Sequence, residues 1–176
     1  MTNESSAPAK KILETDRLSL REMTIADAPI VVEILNEPAF VEFVADRGVR
    51  TNADAVKFIE EKFLPSYARY GFGFYLVELK ESGTPIGMCG LIKRDVLEDV
   101  DIGFSIFERF WGKGYATEAA RALMQHGLTK LGLSRIVGVT AQHNERSAAV
   151  LEKLGLRFEK MMELPGYTHP ETRLFT

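Results

Sequence analysis

The chain predicts a single mixed domain, an α/β or α+β sheet flanked by helices. Three observations carry this. Strand-like runs alternate with stretches of helical period along the whole sequence. Its 176 residues suit one domain better than two. No linker rich in Pro, Gly or Ser separates two hydrophobic blocks, and there is no internal repeat.

Residues 1–11, MTNESSAPAKK, are small and polar and read as a flexible tail before one domain at 12–176. Leu18 and Leu20 alternate with polar neighbours in RLSLRE, which predicts a strand. Thr24 to Asn36 reads as a helix, with Thr24 a candidate N-cap and Asp27 in the first turn. Residues 52–70 read as a second helix, opened by Thr51 or Asn52, stopped near Gly71 and kinked or broken by Pro65. GFYLVELK (73–80) and PIGMCGLIK (85–93) read as a hairpin about an ESGT turn. DVDIGFSIF (99–107) is a third β-rich run. A glycine-containing loop follows it, and then a helix. In that helix Ala116, Ala119, Ala120, Leu123, Met124, Gly127, Leu128 and Leu131 share one face. RIVGVTAQ (135–142) is strand-like, and NERSAAVLEKLG (144–155) is a short helix with Gly155 placed for a C-cap. LRFEKMME and ETRLFT are short and β-leaning.

Charge and composition exclude several classes. With 22 Lys and Arg against 25 Asp and Glu the net charge is −3, which gives no electrostatic case for nucleic acid. The 45% hydrophobic content argues against overall disorder. No apolar run approaches the ~20 residues of a membrane span. Cys89 is the only cysteine, which agrees with a reducing compartment. The tail has no apolar signal core, and the Asn3-Glu4-Ser5 sequon would matter only in a secreted protein. A cytoplasmic location is therefore expected, with no membrane or nucleic-acid partner.

The most informative stretch is Phe110-Trp111-Gly112-Lys113-Gly114-Tyr115-Ala116-Thr117-Glu118-Ala119, between a β-run and a helix start. The first amides of a helix lack internal partners, and the dipole there favours negative charge. Gly112 and Gly114 remove side chains, so a pyrophosphate could approach the main chain without metal or arginine. An ordinary strand-to-helix turn would carry glycines too. GxxxxGK[ST] is absent, and GxGxxG fails because Thr117 stands where its last glycine should be.

The loop resembles the acetyl-CoA loop of the GNAT N-acetyltransferases, [QR]xxGx[GA]. Arg109 to Gly114 fits letter by letter, while the register beginning at Trp111 replaces Gln or Arg with Trp. WGKGYATEA favours the second register and is similar to the RimJ/RimL-like branch. LETDRLSLRE, IGMCGL, DIGFSI and NERSAAVLEKLGLRFE also resemble segments of that branch, so the likeness covers roughly residues 13–160.

The resemblance implies a mixed, mostly antiparallel sheet with splayed central strands, flanked by about four helices. It implies that the pantetheine of acetyl-CoA bonds to backbone groups of Phe104 and Ile106, like a short added strand. The pyrophosphate would lie on the amides of Gly112, Lys113, Gly114, Ala116 and Thr117, with Trp111 also at the cofactor site but without a carried-over side-chain role. Asn144 would cap its helix and lie beside the pantetheine, and Ser147 would face the thioester sulfur. The family's tyrosine acid is replaced by Leu151, leaving Ser147, a water or no acid at all. The Ile106 amide would polarise the thioester carbonyl. The base would be Asp101, with Glu98 and Asp99 as alternatives.

No Ser-His-Asp or Cys-His-Asp spacing argues for an acyl-enzyme, and Cys89 in its apolar run reads as core. His126, His143 and His169 have no metal-ligand spacing, so no metal is expected. The expected function is direct acetyl transfer from acetyl-CoA to a primary amine, on a protein N-terminus or a small molecule, by a monomer or homodimer. Two alternatives remain at this stage: a GNAT-like module that holds a CoA thioester without catalysis, and a nucleotide-binding α/β domain.

Overall fold

The alternation at RLSLRE becomes strand β2 (Leu18–Glu22), whose Leu18 and Leu20 are fully buried. β2 pairs antiparallel with β1 (Lys11–Glu14) and with β3 (Phe74–Leu79). The expected hairpin is β3 with β4 (Pro85–Ile92), and β5 (Val100–Ile106) pairs antiparallel on the far side of β4. Beyond it stand β6 (Ile136–Ala141), β8 (Glu171–Phe175) and β7 (Phe158–Glu163). The order across the eight-stranded sheet is β1-β2-β3-β4-β5-β6-β8-β7. The computed structural model describes residues 8–176. The segment expected to be a tail lies outside the described residues as far as residue 7, and Lys11 already opens β1.

Thr24 and Asp27 form a reciprocal capping box, which opens a 3-10 turn at Ile25–Asp27 before α1 (Ala28–Leu35). Two hydrogen bonds of 2.8 and 2.9 Å from Arg21 hold Asp27 in place. A short helix, α2 (Pro38–Phe43), has no counterpart in the sequence reading. The predicted 52–70 helix is divided. α3 (Asn52–Phe58) passes into a π turn at Ile59–Phe63 and then α4 (Leu64–Tyr70). The Leu64 amide bonds the Ile59 carbonyl five residues back, so Pro65 enters at the second position of α4, where a missing donor costs little.

The core has two layers. α5 (Tyr115–Thr129) buries Ala119, Ala120, Leu123 and Gly127 against one face of the sheet. Gly127 lets α5 close onto β6, since a Cβ there would stand 2.9 Å from Ile136. Leu128, which the periodicity puts on the buried face, is 45% exposed. On the other face α1, α3 and the π turn bury Val31, Ile34, Ile59 and Phe63 against Leu76, Met88 and Phe107.

The sheet splits in its middle. β5 and β6 are the only parallel neighbours among the described residues, and their register stops after Val100↔Ile136, Asp101↔Val137 and Ile102↔Gly138. From Gly138 onward β6 pairs with β8. A wedge-shaped gap therefore opens beside the second half of β5, with α6 (Glu145–Lys153) beginning near it.

Candidate active site

The pleat decides which β5 groups face the gap. The Phe107 amide donates to Ile86 on β4 at 2.9 Å, so by alternation the main-chain groups of Phe104 and Ile106 point the other way. β6 does not pair with them. One of these groups has another partner, because the Trp111 indole Nε1 donates to the Ile106 carbonyl at 2.8 Å. The Ile106 amide still faces the gap.

Below the gap the chain turns through Gly112 (φ 77°) and Gly114 (φ 79°), both in the left-handed region that favours glycine. Gly114 is the N-cap of α5, so the Tyr115, Ala116 and Thr117 amides have no intrahelical acceptor. Gly112, Gly114, Ala116 and Thr117 line a cavity of about 400 Å³, together with Phe104, Ile106 and Trp111. Lys113 is exposed and outside that lining. Arg17 flanks the loop. Its guanidinium lies 4.5 Å from the Tyr115 ring centroid, and its Nε bonds Glu118 at 2.9 Å. The Glu118 carboxylate also accepts from Thr15 at 2.8 Å, so the one acid of the first turn is neutralised away from the loop.

Asn144 caps α6. Its side-chain oxygen accepts from the Ser147 amide at 3.2 Å, and its Nδ2 donates to Ser147 Oγ at 2.9 Å. With that lone pair filled, the Ser147 hydroxyl proton is left to donate elsewhere. Leu151 is 1% exposed and packs over Gly138, where a Cβ would stand 2.5 Å from a Leu151 methyl. Gly138 and Leu151 thus fit as a pair, and position 151 is part of the core.

A second cavity, of about 460 Å³, lies between the sheet and α2, α4 and the 164–170 loop. Thr168 ties that loop down, its amide to the Val44 carbonyl at 2.7 Å and its hydroxyl to the Val41 carbonyl at 2.8 Å. Asp101 lines this cavity and is 1% exposed. Its Oδ2 accepts from Arg94 Nε at 2.8 Å, and Arg94 Nη2 donates to the Tyr167 hydroxyl at 3.1 Å. Asp101 Oδ1 is buried with no hydrogen-bond partner among the described residues. Burial raises the Asp101 pKa, against the lowering by Arg94. Glu98 and Asp99 do not line the cavity, and Asp99 lies 3.5 Å from Arg135.

The two cavities share a wall at Phe104, Ser105, Asn144 and Ser147. Cys89 lies in the core with 0% exposure, and burial pushes its thiol up to about 12. That makes it a poor nucleophile. Among the described residues no three His, Cys, Asp or Glu side chains stand together where a metal could be held, and no helix is long and apolar enough to cross a membrane.

Residues 17–157 match the acetyltransferase (GNAT) domain. The chain belongs to the GNAT acetyltransferase family. It is 29% identical over 166 residues to the N-acetyltransferase p20 of Bacillus licheniformis, covering 92% of this chain and 90% of that one. An acetyltransferase structure from Agrobacterium tumefaciens superposes with a TM-score of 0.74 at 27% identity, over 97% of this chain and 94% of that one. RimL, a ribosomal alpha-N-protein acetyltransferase in complex with coenzyme A, has a TM-score of 0.78 at 19% identity, over 94% and 96%. The likeness to RimL is one of fold, and GNAT acetyltransferases use acetyl-CoA.

Three features of this GNAT acetyltransferase escaped the sequence. Trp111 does have a side-chain role, since its indole fixes the Ile106 carbonyl, and the Arg146 guanidinium covers its ring at 3.9 Å. Arg17 reaches the glycine loop from a position 97 residues before Gly114. Arg94 pairs with the acid that the sequence nominated alone. A basic residue two places past β4 gives no local signal of such a partner.

Proposed function

We propose that this protein moves the acetyl group of acetyl-CoA to a primary amine by direct attack, with both substrates bound at once. The carrying observation is the shared wall. One cavity is lined by the glycine loop and the gap edge of β5, the other by Asp101, and they meet at Ser105, Asn144 and Ser147.

Acetyl-CoA supplies the activated acetyl thioester. Its phosphates suit the glycine-loop cavity, where unpartnered α5 amides and left-handed glycines leave the main chain open. Main-chain groups of Phe104 and the Ile106 amide are the donors and acceptors along the gap. The Ile106 amide polarises the carbonyl, and the indole of Trp111 holds that peptide in position. Ser147, oriented by Asn144, donates its hydroxyl proton toward the departing sulfur. Asp101 Oδ1 accepts the amine proton from the other cavity. The acceptor class includes peptide N-termini, on the precedent of RimL, as well as small-molecule amines.

The test is release of free thiol from acetyl-CoA against a panel of N-terminal peptides and small amines. Amine-dependent release with the acetylated amine as product supports transfer. Tight acetyl-CoA binding without amine-dependent release would leave a binding module. Ser147→Ala keeps the Asn144 cap, since the capping bond is made to the residue 147 backbone amide. It is expected to lower kcat about tenfold, the worth of one neutral hydrogen bond at ~0.5–1.5 kcal/mol, with little change in the acetyl-CoA KM. Steady-state kinetics with wild-type kcat would return the role to water.

A further inference from the structure

The cavity that holds Asp101 is cationic in a chain of net charge −3. Two of its five positive groups are hydrogen-bonded. Arg94 is bonded to Asp101 and Tyr167, and Lys93 Nζ donates to the carbonyls of Leu97 and Glu98 at 2.9 and 3.0 Å. Lys62 and Arg69 are exposed, Lys62 in the π turn and Arg69 on α4, where its guanidinium lies 5.1 Å from the Tyr70 ring centroid. Arg47 is exposed too, and is set apart by the loop it faces. It stands on the loop between α2 and α3 and lines the cavity, yet it has no ion pair and no hydrogen bond among the described residues. Its Nη1 comes within 4.0 Å of the Cβ position at Gly166, so it faces the roof loop that carries Tyr167.

Asp101 Oδ1 is the complementary feature of the same cavity: a buried carboxylate oxygen with no partner among the described residues. A guanidinium presents paired donors that match a carboxylate or phosphate, and a carboxylate oxygen matches an ammonium or amine proton. One cavity therefore offers two unfilled positions of opposite sign. Partial burial lowers the Arg47 pKa, Tyr167 opposes the shift and Arg94 adds to it.

We infer that the acceptor is an amine carrying a second, anionic group, a carboxylate or phosphate, held by Arg47 while the amine faces Asp101. This rests on the proposed acetyl transfer. Arg47 acts by binding and positioning the acceptor, not in the chemical step, so its effect belongs in the acceptor KM.

The test compares matched acceptors that differ only in the anion: an ω-amino acid with its carboxamide, and an aminoalkyl phosphate with its amino alcohol. Each ratio of kcat/KM is measured in the wild-type protein and in Arg47→Met, which cancels the intrinsic reactivity of the amines. The wild-type preference for the anionic member is expected to fall about ten- to a hundredfold in Arg47→Met, the range for a hydrogen-bonded charge. The change should appear in KM, and Arg47→Lys should restore part of it. The pair that shows the larger fall tells carboxylate from phosphate. An unchanged ratio in both pairs overturns the inference. A second measurement needs no turnover: calorimetric binding of the N-acetylated ω-amino acid and of its carboxamide, with coenzyme A present. Preference for the acid, lost in Arg47→Met, supports the inference even if no amine is acetylated, in which case the transfer reading alone fails. Equal affinity, or no binding of either, overturns it.

Discussion

Gly114→Val is expected to lower acetyl-CoA affinity about 100-fold or more. Residue 114 has φ 79°, a conformation in which a β-branched residue costs about 1–3 kcal/mol. The chain escapes that strain by rotating residue 114, and the rotation turns the first α5 amides away from the glycine-loop cavity. Each amide-to-phosphate hydrogen bond is worth about 1.5–3 kcal/mol, so the loss of one or two suffices. The nearest atom to a Cβ at Gly114 is Arg17 Nη2 at 3.6 Å, an ordinary contact, so the variant should still fold. Titration calorimetry on protein with an unchanged circular dichroism spectrum measures this, with Gly114→Ala as an intermediate. Parental affinity in folded Gly114→Val would remove the loop from the binding site.

Asp101→Asn is expected to reduce kcat by about 10²–10⁴, the usual range for a positioned base. Asparagine can still accept from Arg94 Nε, so the local packing survives while proton acceptance is lost. The pH profile gives a second reading. Burial sets the Asp101 pKa above its ordinary 3.8. The ionised form accepts the proton, so kcat/KM of the wild-type protein should rise with pH through that raised value, and this limb should vanish in Asp101→Asn. Stability runs the opposite way. A folded value above the unfolded one makes the carboxyl's contribution fully present below pH 3.8 and lost as pH rises through the folded value. Urea midpoints across that range should lack this component in the variant. A wild-type kcat in Asp101→Asn would leave the proton to water.

Which parts of the molecule were legible follows from how local the determining contacts are. Asn144 was readable as a cap because its bond to Ser147 spans three residues. The glycine loop was readable because its spacing sits at a strand-to-helix junction, where left-handed glycines and unpartnered first-turn amides are expected. Pro65 announced a break in the 52–70 helix, but not the π turn that accommodates it. α2 was missed because six residues opening on Pro38 carry too little periodicity. Leu128 was placed on the wrong side because α5 buries a narrower stripe than its apolar residues describe. The Arg94–Tyr167 contact joins residues 73 apart, and Arg47 meets the roof loop from across the cavity. Such meetings are set by how the sheet and its loops close, and no sequence window contains them.

The indole that fixes the Ile106 carbonyl is also the only tryptophan in the chain. Its ring is covered by a guanidinium and borders the glycine-loop cavity. Long-wavelength ultraviolet emission from this protein is therefore a signal from one address rather than an average over several. A molecule entering that cavity changes the polarity and the quenching around that single fluorophore. The protein carries its own optical probe of occupancy, readable by stopped flow without label or coupled enzyme, at the peptide that the indole holds.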